Sequence, residues 1–331
     1  MSCLTASAQY VGAGSSAFAF LDLPVSARQN ALGGENISIR DGELASAFAN
    51  PALLGAMTHH LLQLNYSFYG SANFAGAMYG YNFSEYDYFA VGIHYLDYGQ
   101  MAYATEFGQL TGAKFGARDA LIEAAYARQL GPLFTLGVAL KPIMSFYESY
   151  NSFALGADVG GHFQTADSTF QLGLTLKNIG WQLKGFYSNE SGQHLEMLPL
   201  NLELGLNYRF AHAPIRLGLT IHNIQQWDLG YARLNEVTEL QNVHWFDMMM
   251  RHTIWYIDIC PKSEKFYITL SYNHRRRQEM FLQDQRSLAG FAAGLGFRIR
   301  MFRLGFAMSQ MTKANFTYQV SLAMDVNQFM K

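Results

Sequence analysis

Asp158 and His162 stand four residues apart, a spacing that puts a carboxylate and an imidazole on one face of a strand. Such a pair is half of a relay that activates a hydroxyl or thiol. Gly160 lies between them and no nucleophile falls into place, so the reading is a solvated polar network and not a hydrolase site. The ten histidines hold no metal-ligand spacing, and the adjacent His59 and His60 suit a turn or an interface better than a metal. Cys3 and Cys260 are too few for a thiolate cage and are not expected to pair. Arg275-Arg276-Arg277 is the densest basic run, able to meet lipid phosphates or sugar acids or simply to solvate a strand end. The remaining charges of interest, Lys177, Glu203, Arg209, Arg216 and Asp325, alternate with apolar residues. The expectation is therefore a protein that is not an enzyme and uses no cofactor and no metal.

Composition narrows the class of element that must position these residues. The 331 residues include 30 Gly, 20 Tyr and 25 Phe but only 7 Pro, and charged residues make up 15%, against the usual quarter of a soluble domain. Half the chain is hydrophobic, yet mean hydropathy is −0.01, so apolar and polar residues are interleaved rather than blocked. No apolar run is long enough for a spanning helix. A net charge of −2 offers no basic face for nucleic acid. Residues 1–8 read as the remnant of an export signal, because Ala6-Ser7-Ala8 has the small-x-small form cut by signal peptidase, which would make Gln9 the mature start.

From residue 61 onward the period is two. Leu62, Leu64, Tyr66 and Phe68 oppose Gln63, Asn65 and Ser67; Phe134 to Leu140 and Phe170 to Leu176 repeat the split. Leu200, Leu202, Leu204, Leu206, Tyr208 and Phe210 alternate with Asn201, Glu203, Gly205, Asn207 and Arg209, a row longer than a sandwich strand needs. Rows of this length span hydrocarbon when tilted, and a sheet in lipid must close to satisfy its edges. The implied fold class is all-β: a closed transmembrane antiparallel β-barrel with apolar residues outside and polar ones in the lumen.

Strands are expected near 61–69, 73–83, 86–97, 116–129, 133–146, 151–164, 168–178, 200–210, 214–224, 252–260, 266–275, 288–299, 302–310 and 315–327. That makes fourteen, an even number that returns both ends to one side, taken as periplasmic. The inward connections are short, whereas 99–115, 179–199, 224–251 and 276–287 are long and are assigned to the exterior. Val243 to His252 suits a short helix feeding the next strand; a helix running through Ile259 would leave an odd count. Residues 9–60 do not alternate. Gly33-Gly34 and Gly42 mark turns, Leu44 to Ala49 a helical turn stopped by Asn50-Pro51, and the segment is expected to act as a hatch in the barrel 61–331. Glycines 137, 156, 173, 205, 218 and 305 fall on inward rows, where small size admits a plug.

The run Ser26-Ala27-Arg28-Gln29-Asn30-Ala31-Leu32-Gly33-Gly34, followed by Ala49-Asn50-Pro51-Ala52, resembles the opening of the long-chain fatty-acid transporter superfamily of outer-membrane barrels. Within it, Tyr95-Leu96-Asp97-Tyr98-Gly99, Glu106-Phe107-Gly108, Leu176-Lys177-Asn178-Ile179-Gly180 and Tyr272 to Arg277 resemble the PorQ-like components of the type IX secretion system of Bacteroidetes. The superfamily implies fourteen strands and an N-terminal hatch. The subgroup implies a surface attachment complex with PorU, PorV and PorZ, in which cargo is processed and joined to anionic lipopolysaccharide while the barrel anchors PorZ. One departure is that the inward rows carry Lys177, Glu203, Arg209, Arg216 and Asp325, which argues against the alternative of an outer-membrane transporter for hydrophobic molecules. Partner candidates are Trp181, Phe186, Tyr187, Trp227 and Tyr231 in or beside the long outer loops, with Arg275, Arg276 and Arg277. An enzyme acting on lipid or glycan has no residue set to support it.

Overall fold

Alternating rows in a chain that must leave no open edge become a closed antiparallel barrel of fourteen strands in this computed structural model, which describes residues 18–328 except 106, 108, 190, 191, 194, 230–243, 262–264, 281–286 and 311–315. The strands are β1 (Leu61–Phe68), β2 (Asn73–Asn82), β3 (Asp87–Ala104), β4 (Leu110–Gln129), β5 (Phe134–Tyr147), β6 (Tyr150–Gln164) and β7 (Phe170–Lys184). They continue as β8 (Asn201–Arg209), β9 (Ile215–Ile221), β10 (Thr253–Ile259), β11 (Phe266–Asn273), β12 (Phe291–Ile299), β13 (Phe302–Ser309) and β14 (Thr317–Asp325). Each pairs with its sequence neighbour, and β1 closes on β14 in a register running from Leu61 opposite Asp325 to Phe68 opposite Tyr318. Both barrel termini therefore share one end, and every connection at that end is short. A helix α2 (Trp245–Arg251) feeds β10 as expected, and α3 (His274–Glu279) follows β11, both at the opposite, long-loop end. The expected export-signal remnant lies outside the described residues.

Two long loops turn out to be partly strand, and bulges are the reason. β3 continues through Asp97-Tyr98-Gly99 to Ala104 because the ladder with β4 slips between Asp97 and Gln100, where Gly99 takes a φ of 79°. The turn residues mark an extra residue within a strand, not its end. β7 likewise runs past 178 to Lys184: Asn178, at φ 59°, sits at a register shift opposite β6, so Lys177 and Asn178 both turn inward before Ile179 and Trp181 resume the outward row. The connection expected at 99–115 shrinks to 105–109, and the one expected to begin at 179 begins after Lys184.

Residues 18–60 fill the lumen. Ser26 caps the one-turn helix α1 (Ala27–Ala31) by accepting the Gln29 amide, and Gly33 and Gly34 end it at positive φ. Asn50 accepts the Ala52 amide at 3.0 Å and opens the turn Pro51–Leu53, with proline at the position where its missing N–H costs nothing. The hatch backbone lies directly on the wall at glycines. A Cβ added to Gly173 would stand 1.9 Å from the Ile37 carbonyl oxygen, and one on Gly137 2.4 Å from the Ala52 nitrogen. Not all the inward glycines serve the hatch, however. Gly218 makes room for the Tyr256 ring and Gly156 for Leu198.

Candidate functional site: a two-sided lumen closed by a hatch

Inward positions on β6 to β11 are mostly polar, and two of the charged ones, Asp258 and Lys177, bind hatch side chains. Arg28, on α1, donates Nη1 and Nη2 to the two carboxylate oxygens of Asp258 at 3.0 and 2.9 Å. Its Nε meets Asp41 at 2.9 Å, its Nη1 also reaches Thr269 at 2.7 Å, and the guanidinium lies 4.1 Å from the Tyr267 ring centre. Arg216 donates to the same Asp258 at 3.2 Å. The Arg28 and Asp258 side chains are 1% and 0% exposed, so this bidentate pair is desolvated and shielded from salt. A second latch joins Lys177 to Glu35 of the hatch at 2.9 Å and to Glu203 at 3.5 Å. A third, at the seam, joins Lys141 to Asp158 and to the Phe48 carbonyl at 3.1 Å.

Inward positions on β2 to β5 are mostly apolar. Phe74, Met78, Leu96, Leu121 and Ile143 pack with Phe18, Phe20, Leu21 and Phe48 of the hatch in one buried cluster. His94 and Glu123 are embedded in this side, Nε2 to Oε2 at 3.4 Å, with the rings of Phe48 and Phe74 5.0 and 5.7 Å from the imidazole. Burial in the hatch pushes the Asp22 carboxyl above the ordinary range, against the opposing pull of Lys177. At the long-loop mouth Phe186 stacks on Tyr147 at 5.1 Å and on Phe18 at 6.2 Å, roofing the apolar side.

The residues expected to act together are divided by this arrangement. Lys177 and Glu203 meet in one latch and Arg216 enters another. Arg209 does not pair with Glu203; it reaches the Pro261 carbonyl at 2.7 Å across the short-turn end. Asp325 stands at the foot of β14, where it accepts the Asn327 amide at 3.1 Å, away from the lumen latches. Asp158 and His162 share the inward face but bind different partners, Lys141 and the Ser38 carbonyl. His59 and His60 form a turn pair with ring centres 4.1 Å apart.

Among the partner candidates, Trp181, Tyr187 and Trp227 are about three-fifths exposed, but Trp181 lies on the outer face of β7 and not in a loop. Phe186 is half-buried, because its ring is drawn inward by Tyr147 and Phe18. Tyr231 lies outside the described residues. The three arginines are not one patch: α3 spreads them, Arg275 to Glu279 and Asn223 at 2.6 and 3.0 Å, Arg276 toward Gly34 of the hatch, and Arg277 to the Ser287 carbonyl. Sequence reading missed Arg28, Glu35, Asp41 and Asp258. A signal existed for one of them, since Asp258 interrupts the outward Ile257 and Ile259 at an inward position opposite Arg216.

No protein-family model and no curated protein matches the chain. Solved structures do match. The Pseudomonas putida toluene transporter TodX aligns at a TM-score of 0.53 and 12% identity over 91% of this chain and 97% of that one. A TodX monoaromatic hydrocarbon channel mutant, deltaS2S3, gives 0.56 and 13% over 91% and 97%, and the deltaS2 mutant 0.54 and 13% over 90% and 96%. The chain shares their fold. The match takes in the hatch as well as the barrel, because it covers nine-tenths of the chain, but at 12–13% identity it is a likeness of architecture. The PorQ-like resemblance has no counterpart among these matches.

Proposed function

We propose that the chain is an outer-membrane channel for hydrophobic molecules, held shut at rest by its hatch, with the long-loop end outside and both termini periplasmic. The observation that carries this reading is the segregation of the lumen. A water-filled porin lumen is polar, whereas here β2 to β5 carry an apolar cluster, Phe74, Met78, Leu96, Leu121 and Ile143, packed on Phe18 and Phe48 of the hatch, with Asp119 and the His94–Glu123 pair set into it. Of the charges that argued against an apolar route, Lys177, Glu203 and Arg216 are paired on the other side of the lumen, and Arg209 and Asp325 stand at the short-turn end. The same architecture in a toluene transporter agrees with this reading. The test is entry of a hydrophobic fluorescent probe into proteoliposomes, comparing the native chain with Leu121→Lys, which puts a charge on the apolar wall. Entry that depends on the barrel and falls at least tenfold in the variant supports the proposal; entry no faster than in protein-free liposomes refutes it.

A second reading is favoured by one surface. Trp227, Trp245 and Phe246 are 61%, 64% and 51% exposed at the long-loop end, well beyond what a strand-end anchor needs. In a PorQ-like role this face would hold PorZ, with PorU and PorV, beside lipopolysaccharide at the cell surface. Surface PorZ that stays unchanged after Trp227→Ala combined with Trp245→Ala would remove this reading.

A further inference from the structure

A barrel wall is normally convex on the outside, but across β8 to β13 this one is hollow. The groove holds about 700 Å³. Its axis follows one outward row of the ladder, Leu217, Ile257, Leu270, Ala293 and Met308, each paired with the next across a strand boundary. Ala293 is the one small side chain in that row and forms the floor; Trp255, Tyr272 and Phe291 make the flank.

The groove floor is backed on the lumen side by the hatch. There β12 and β13 carry Gly294 and Ala307, and α1 lies against them through Ala27 and Ala31, all three alanines fully buried. A Cβ on Gly294, the residue after Ala293, would come 2.5 Å from that of Ala31, so the helix stands directly behind the floor.

The groove lies on the outward rows of a transmembrane wall, so bilayer hydrocarbon is the phase that meets it. Left empty, its lining would forfeit dispersion contacts. Four interstrand spacings of about 4.8 Å, on strands tilted about 40°, carry it through roughly 12 Å of depth, most of one leaflet of hydrocarbon. Its long-loop end is polar: the Tyr272 hydroxyl meets His274 Nδ1 at 3.0 Å, and Arg275 stands next on α3 with a quarter of its side chain exposed.

We propose that this groove binds one acyl chain of a lipid from the leaflet at the long-loop end, with the headgroup at Tyr272, His274 and Arg275. The site adjoins the hatch, because α1 packs behind the groove floor. The test uses the full chain refolded into dimyristoylphosphatidylglycerol bilayers, extracted in detergent and measured by native mass spectrometry. The native chain should keep one lipid under activation that strips the rest. Ala293→Trp should lower the lipid-bound fraction at least fivefold, while Val138→Trp, on the outward face of β5, should not. Ala293→Phe serves if the tryptophan variant fails to show the heat-shifted mobility of a folded barrel. Equal retention in native chain and floor variants, or no retained lipid in the native chain, would overturn the proposal.

Discussion

The two sides of the lumen hold the same hatch by different means. On β6 to β11 the contacts are few, charged and directional: Arg28 on Asp258 and Lys177 on Glu35. On β2 to β5 they are mainly apolar and without direction, Phe18, Phe20 and Phe48 against Phe74, Leu121 and Ile143, with Lys141 on the Phe48 carbonyl and Arg40 on Thr135 at the β5 seam. Ion pairs fix register but fail abruptly, since removing one partner strands a buried charge. Apolar contacts lose energy gradually and re-form with another apolar occupant. On the channel proposed above, the charged side is the hinge post and the apolar side the route. That contrast is open to direct attack.

The largest effect should come from removing the hatch altogether. The native chain is expected to show little conductance in planar bilayers, and deletion of residues 9–56 should produce large, steady currents, because the wall glycines that the hatch covers would then border an open lumen. Currents from the native chain equal to those of the deletion would mean that the hatch does not occlude.

Next in size is the charged post. Asp258→Asn removes the buried carboxylate that Arg28 and Arg216 share, so that Arg28 keeps Asp41 but loses its bidentate partner, a local cost of about 3–5 kcal/mol. Limited proteolysis should cut residues 18–60 sooner than in the native chain while the barrel remains folded. An unchanged digestion pattern would show that the apolar side alone retains the hatch. Gly173→Ala should act more weakly, by about 1–3 kcal/mol, because its methyl group meets the Ile37 carbonyl that sits on the wall. On the apolar side Ile143→Ala, which empties a fully buried position, should cost about 2–5 kcal/mol in the denaturant midpoint yet leave the hatch protected from protease.

The difference between the sides also explains what the sequence could reveal. Barrel strands were legible because burial on a pleated sheet writes itself as a period of two, and all fourteen were found within a few residues except at Gly99 and Asn178, where a bulge adds a residue and imitates a turn. Lys177, Glu203 and Arg216 were legible as inward charges. Their ties to the hatch were not, because Glu35, which binds Lys177, and Arg28, which shares Asp258 with Arg216, lie in a segment without alternation, Arg28 230 residues from Asp258. The apolar side was hidden for a further reason. Alternation shows which row faces inward, but Phe74, Leu96, Leu121 and Ile143 are apolar on an inward row, and only the fold shows that they adjoin. Phe186 is less exposed than its place in a loop suggests, because exposure there depends on what the loop folds onto, here Tyr147 and Phe18.

The smallest expected effect gives the sharpest comparison, since it repeats the Asp258 chemistry on the opposite side. Glu123→Gln also replaces a fully buried carboxylate with its amide. Its partner His94 stands at 3.4 Å, and neither carboxylate oxygen makes a hydrogen bond. Unlike Asp258, Glu123 does not hold a hatch cation, and the amide preserves the side chain's shape while gaining a donor that can point at the imidazole. Exchanging a poorly satisfied buried ionic group for a neutral isostere is often neutral or stabilising. The denaturant midpoint should therefore shift by no more than about 1 kcal/mol in equivalent energy, with the hatch as resistant to protease as in the native chain. If Glu123→Gln released the hatch as readily as Asp258→Asn, both walls would be latched by charge, and the division of the lumen into a post and a route would fail.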